Sequence, residues 1–231
     1  MEGNKGIVVN KENNTIIYYN HVSEAVLNEI YQCTVILQKN IDNKKTGLSV
    51  SNILIGVNII IYIITAYLSG NIFDSNINVL IFLGAKVNSL ILSGEYYRLI
   101  TSMFLHGGLV HIGFNMYALY SLGPFVEKIF GRKKFTIIYF FSGILSSIMS
   151  FVFSPDISIG ASGAIFGLLG AALIFGLKNK NKIGKEFMMN IIVVIGINLF
   201  MGFSIPNIDN FAHMGGLIGG ILCTTLFYWK K

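Results

Sequence analysis

Ser162 lies in the run Gly160-Ala161-Ser162-Gly163, directly ahead of the apolar stretch from Ala164 to Leu177. Gly160 and Gly163 leave its hydroxyl free of bulky neighbours and let other backbone approach closely. His213 occupies a similar place further on, in Ala212-His213-Met214-Gly215-Gly216, followed by Gly219 and Gly220. A serine hydroxyl is a poor nucleophile until a base takes its proton, so a serine and a histidine at the mouths of two apolar helices suggest a nucleophile and its general base. Gly163, Gly167 and Gly170 recur at i, i+4 and i+7. Such flat stripes let helices pack closely in lipid. The glycines around Ser162 and His213 are therefore expected to bring the two side chains within hydrogen-bond reach.

Attack on an amide puts negative charge on the carbonyl oxygen, and donors fixed in advance around that oxygen lower the barrier. His111 and Asn115, at i and i+4, share one face of a helix and can point at such an oxygen, or can serve as polar glue between helices. Beside Ser162 and His213 the catalytic reading is preferred. Asp209, one helical turn before His213, could orient the imidazole; the preferred reading is that Asp209 or Asn210 caps the helix, leaving a Ser–His dyad. His106, with Gly107 and Gly108, is expected to shape a polar entry for water, as a solvated or backbone-bonded loop histidine, and His21 to be an ordinary surface residue. The histidine spacing lacks a ligand pattern, so neither a metal nor a cofactor is expected. Ser142, Ser146, Ser147 and Ser150 are read as packing residues that bond back to their own helix. Cys33 and Cys223 have neither disulfide nor ligand spacing.

The elements that must position these groups are apolar. Hydrophobic residues make up 53% of the 231 and charged residues 12%, which excludes an ordinary soluble domain and indicates an all-α polytopic membrane protein. The net charge of +6 sits in short clusters between apolar runs, as topology signals do, so nucleic-acid binding is not expected. Runs of near-spanning length fall at about 48–68, 109–126, 135–153, 163–177, 187–203 and 211–229. Ile77 to Leu92, broken by Gly84, Lys86 and Asn88, reads as a segment at the interface or packed against the bundle. With six spans and a cytoplasmic N-terminus, the clusters at Lys44–Lys45, Lys128, Arg132–Lys134, Lys178–Lys185 and Lys230–Lys231 all lie inside, leaving Lys86 and Arg98 outside. Spans two, four and six then enter from the external face carrying His111 and Asn115, Ser162, and His213 at one depth. Polar convergence of that kind inside lipid points to function. Residues 1–46 read as a small polar cytoplasmic extension with two β-like runs, Ile7–Val9 and Thr15–Tyr19, and a helix over Ser23–Gln38; residues 47–231 form the transmembrane domain. No targeting segment is evident, so the expected location is a prokaryotic plasma membrane.

Taken together, Tyr97-Arg98-Leu99-Ile100-Thr101-Ser102-Met103-Phe104-Leu105-His106, His111-Ile112-Gly113-Phe114-Asn115, Glu127 with Gly131, Gly160-Ala161-Ser162-Gly163, and Ala212-His213 with Gly215 and Gly216 resemble the rhomboid intramembrane serine proteases. The resemblance runs from about residue 48 to the end. It implies a six-helix bundle with a membrane-embedded loop between spans one and two, and hydrolysis of peptide bonds in or beside the transmembrane helices of substrate proteins. It further implies Ser162 as nucleophile, His213 as base, and His111, Asn115 and the Ser162 N–H as the oxyanion-binding group. Phe166 would carry the histidine ring, and Glu127 would tie the second span to the first external loop. Tyr97 stands where the family often has tryptophan before Arg98, and keeps the interfacial character. A catalytically silent rhomboid-like scaffold that binds transmembrane helices is the alternative. A transporter is disfavoured because no inverted repeat is visible. Because a helix must unwind before its bonds are accessible, substrates are expected to carry glycine, proline or small residues near the cut.

Overall fold

The structure, a computed structural model, is described over residues 6–9, 16–20, 49–180, 185–204 and 208–229. The chain divides into two units, Met1–Leu48 and Ser49–Lys231. In the first, β1 (Gly6–Val9) and β2 (Ile16–Asn20) pair antiparallel, Ile7 opposite Tyr19 and Val8 opposite Tyr18, with a register shift between Val8 and Val9. The β-branched and aromatic residues of these runs explain the pairing. The helix expected over 23–38 lies outside the described residues, as do His21 and Cys33.

The second unit is helical. Its first helix, α1 (Val50–Ser69), begins at Ser49, whose hydroxyl accepts from the Asn52 N–H, and ends on Gly70 in the left-handed region at φ 63°. Three short helices follow: α2 (Ile77–Phe82), α3 (Asn88–Leu92) and α4 (Arg98–Thr101), the last continuing into a 3-10 turn at Ser102–Phe104. Each is far too short to cross a bilayer. The apolar run from Ile77 to Leu92 is interrupted by Gly84 at φ 106°, where a β-carbon would strike the Thr101 hydroxyl at 2.4 Å.

The long helices are α5 (Leu109–Phe153), α6 (Ser162–Lys178), α7 (Lys185–Ser204) and α8 (Asn210–Trp229). Among the described residues, α1, α5, α7 and α8 are long and apolar enough to cross a membrane, while α6 is apolar but only 17 residues long. At 45 residues, a straight α5 would reach about 68 Å. Gly131 (φ 77°, ψ 161°) interrupts it instead. Both ends return to the same loop: Leu109 N–H donates to Phe73 O at 3.0 Å, and the Ser147 hydroxyl lies 3.5 Å from that of Ser102. The halves 109–130 and 132–153 therefore fold back on each other.

Sequence dictates which helix is central. α6 is built almost wholly of glycine, alanine, leucine, isoleucine and phenylalanine, and every residue from Gly163 to Ala172 is buried. Around it pack Leu119, Val126, Phe135, Ile138 and Tyr139 of α5 and Cys223 of α8. The outer faces of α1 and α7 instead expose Ile60, Ile63, Ile197 and Phe200, an arrangement suited to lipid rather than water.

Candidate active site

Ser162 is the first residue of α6, and its hydroxyl lies 3.0 Å from Nε2 of His213, which sits in the first turn of α8. What allows this approach is the absence of side chains. A β-carbon on Gly216 would fall 1.9 Å from Gly163 O, and one on Gly220 1.9 Å from Gly167 O, while Gly170 faces Leu217 O at 2.6 Å. The backbones of α6 and α8 touch over two turns, as the glycine spacing predicts. The third wall comes from α5: a β-carbon on Gly215 would meet Met149, and one on Gly163 or Gly167 would meet Ser146 or Ser142.

The His213 ring is stacked on Phe166, one turn along α6 from Ser162, with centroids 4.4 Å apart and an interplanar angle of 16°. Its Nδ1 has no hydrogen-bond partner among the described residues. Asp209 does not reach it. One Asp209 oxygen accepts from the Ala212 N–H at 2.9 Å and the other from the Ser150 hydroxyl, so Asp209 is the cap of α8, satisfying a free N–H at a helix start. That contact also corrects the expectation for Ser150, which bonds across to Asp209 and not back to its own helix. Ser147 likewise faces Ser102 across a helix boundary.

His111 sits in the first turn of α5. Its Nδ1 accepts the Gly107 N–H at 3.3 Å, which in a neutral ring assigns the proton to Nε2. That nitrogen faces the serine turn: a β-carbon on Gly160 would lie 2.9 Å from it and 3.8 Å from Ser162 Oγ. Gly160, at φ 122°, thus holds a backbone conformation that other residues rarely adopt and keeps open the space between donor and hydroxyl. The Asn115 side chain donates to His111 O at 3.0 Å. Ser162, His111 and His213 are all half-buried, so the group is neither sealed nor surface-exposed.

Several side chains differ from expectation. His106 is fully buried, not solvated; it meets the His111 ring edge-on at 5.2 Å, and neither of its ring nitrogens has a hydrogen-bond partner among the described residues. Burial, seconded by the neighbouring His111, holds its pKa down to about 3 against a partial lift from the Phe104 backbone. Glu127 is not bonded to the segment between α1 and α5 that it was expected to tie. It sits near the Gly131 turn and accepts from the N–H groups of Val50 and Ser51 at 2.9 and 3.0 Å and from the Ser51 hydroxyl at 3.1 Å. A carboxylate at a helix start meets unpaired N–H groups and the positive end of the dipole, which is why it ties α5 to the beginning of α1.

Arg98 and Lys86, counted from the sequence as external flanking charges, are both buried in the segment before α5. The Arg98 guanidinium spans the Ile81 and Ala85 carbonyls at 2.7 and 3.0 Å and the Glu95 carboxylate at 2.6 and 2.8 Å. Tyr97 beside it is exposed, its hydroxyl donating to Glu95. The segment also reaches the serine turn directly, since Gly160 N–H donates to Ser102 O at 2.9 Å. No sequence signal names that contact. The charged side chains inside a glycine-broken apolar run were the available hint that the segment is internally tied.

A family model for the rhomboid domain matches residues 93–230, and this chain belongs to the rhomboid family of integral membrane proteins. It is 52% identical over 147 residues to rhomboid protease GluP of Bacillus subtilis (strain 168), covering 64% of this chain and 29% of that protein. It is 38% identical over 141 residues to the putative rhomboid protease YdcA of the same organism, covering 60% of this chain and 71% of that one. With RHOMBOID-like protein 7 of Arabidopsis thaliana it shares 44% identity over 148 residues, 59% of this chain and 46% of the plant protein. The chain thus spans under a third of GluP and under half of the plant relative.

Proposed function

We propose that this protein is an intramembrane serine endopeptidase that hydrolyses peptide bonds in or beside the transmembrane helices of other membrane proteins through a Ser162–His213 dyad. The observation that carries the reading is the 3.0 Å contact between the Ser162 hydroxyl and His213 Nε2, made between two helix starts in a chain whose relatives are named rhomboid proteases. His213 accepts the Ser162 proton at Nε2 as the hydroxyl oxygen attacks the carbonyl carbon, and later returns it to the departing amine. Stacking on Phe166 fixes the ring, whose Nδ1 has no carboxylate partner among the described residues. The donors to the developing oxyanion are the His111 Nε2–H, which faces the space over Gly160, and the Ser162 N–H; Asn115 holds the His111 carbonyl and has a second N–H to offer. Water then releases the acyl group, and the half-buried state of all three side chains supports access for it.

The two halves of α5 count as separate spans, giving six spans with α1, α6, α7 and α8. Both termini are cytoplasmic, following the basic residues Lys128, Arg132, Lys133, Lys134 and Lys178, and the site opens to the external face of a prokaryotic plasma membrane. Segment 70–108 is the loop embedded at that face, and residues 1–46 form a cytoplasmic extension. No cofactor enters this chemistry.

The test is cleavage of a tagged single-span substrate carrying glycine near its external end, by purified protein in liposomes. The parent is expected to cut, and Ser162→Ala and His213→Ala to fall to background. Binding without cutting by the parent, matched by both variants, would replace the protease with a helix-binding scaffold. Efficient cleavage of a poly-leucine span would overturn the substrate class.

A further inference from the structure

Lys86 is fully buried, yet the proposed chemistry does not use it. An isolated ammonium out of water is costly unless its hydrogens are taken up. Here Nζ donates to the carbonyls of Ser154 and Asp156 at 2.8 and 2.9 Å. Among the described residues no carboxylate lies within ion-pair distance of it. Ser154 closes the C-terminus of α5, where carbonyls lack helical partners and the dipole is negative, so a cation fits there. Asn88, two residues on, donates to Ser154 O and Phe151 O at 3.0 and 3.1 Å. The Lys86 backbone adds a reciprocal pair with Ser158, N–H to O at 3.1 Å and back at 3.2 Å.

The segment held in this way leads nowhere but to the nucleophile. From Ser158 the chain reaches Gly160, whose N–H is held by Ser102 O, and then Ser162. Burial lowers the lysine pKa, while the charges of Asp209 and Asp156 act the other way. Asp209 is the cap of the helix that bears His213. The ammonium holds the end of α5 and the approach to the serine, and one turn earlier on α5 Ser150 bonds to Asp209 at the start of the histidine helix.

We propose that Lys86 is a positioning residue for catalysis: by fixing residues 154–158 it sets the Gly160–Ser162 turn, and with it the Ser162 N–H and hydroxyl, against His213 and His111. The inference rests on the reading of Ser162 as nucleophile. It asks for rate, not substrate affinity, to depend on a side chain that touches no reacting atom.

The experiment compares the full-length parent with Lys86→Met, Lys86→Arg and Asn88→Ala in liposomes. It measures kcat and KM on a model span, the rate of Ser162 labelling by a fluorophosphonate, and the thermal midpoint. Misplacement of a reacting group by about 1 Å can cost on the order of 10²-fold in rate. Lys86→Met is expected to lower kcat and labelling together by about 10–100-fold with KM within about twofold, assayed well below its midpoint. Lys86→Arg should recover part of the loss. Asn88→Ala, which removes bonds to the same helix end while leaving the charge, should give a smaller loss of the same kind and decides the matter if Lys86→Met does not fold. Parental kcat in folded Lys86→Met, or in Asn88→Ala when that variant decides, would overturn the positioning role, as would a change confined to KM. A parent that neither cleaves nor labels would overturn the protease reading, and the role of Lys86 with it.

Discussion

The helix pair α6–α8 and the segment 70–108 both hold the candidate site, by opposite means. Between α6 and α8 the contact is made by removing side chains: Gly216 lies on Gly163 and Gly220 on Gly167, so that backbone meets backbone. In segment 70–108 it is made by adding them, with Arg98, Thr101 and Lys86 each donating to backbone carbonyls. The reason is backbone saturation. A helix interior has satisfied its own N–H and C=O groups and can meet another helix with nothing between; an irregular segment has not, and needs donors from side chains. Close packing can therefore be broken by any added volume, and the tied segment only by loss of particular donors.

The sharpest way to break the first half of the comparison is bulk. Gly216→Leu or Gly220→Leu should reduce proteolysis and Ser162 labelling to background, although neither side chain touches substrate. Gly196→Leu, on exposed α7 with open space around it, should leave both unchanged. Activity in Gly216→Leu would mean that the helices need not touch.

For the second half, Arg98→Lys keeps charge but cannot reproduce the planar fork that serves two carbonyls and a carboxylate at once. The expected effect is a stability loss of about 1.5–3 kcal/mol, read as a lower unfolding midpoint in mild detergent, with partial loss of cleavage. An unchanged midpoint would show the segment to be held by its apolar contacts. A smaller effect is expected at the far end of the bundle: Glu127→Gln weakens acceptance from the start of α1 and should cost about 1 kcal/mol, with kcat untouched below the midpoint. Loss of kcat in the folded variant would tie that end to the chemistry.

The smallest effect concerns His106. Above about pH 6.5 both the folded and unfolded chains leave it neutral. As pH falls through that value the unfolded chain takes up a proton that the folded chain refuses until about pH 3, so this residue makes stability fall as pH falls across that window. The slope of midpoint against pH should be shallower in His106→Gln than in the parent. Equal slopes would mean that His106 is solvated in the folded protein.

Periodicity made the helices legible. Apolar runs and glycine spacing placed α1 and α6 to α8 within a few residues, and the Ser162–His213 meeting followed from two glycine stripes that had to face each other. Phe166 came through resemblance and His111 through its i, i+4 spacing with Asn115 as well, and the structure gives them stacking and a defined tautomer. The polar ties were not legible. Glu127 touches residues 76 and 77 positions away, and Ser150 bonds to Asp209 across 59. No local pattern encodes such pairings, since only the tertiary fold decides which helix end a carboxylate meets. Lys86 and Arg98 show a related limit: a charge rule counts lysines and arginines by place in the chain and cannot see that these two are buried against helix ends and carbonyls.

The reversal at Gly131 also anchors the end of the bundle away from the serine. One residue turns the chain between the halves of α5, with Lys128 and Arg132 to Lys134 gathered on both sides of it. A turn of that length leaves the two halves no slack to slide past each other. Glu127, four residues before it, accepts from the first N–H groups of α1, so the same few residues set both where the chain reverses and where α1 begins.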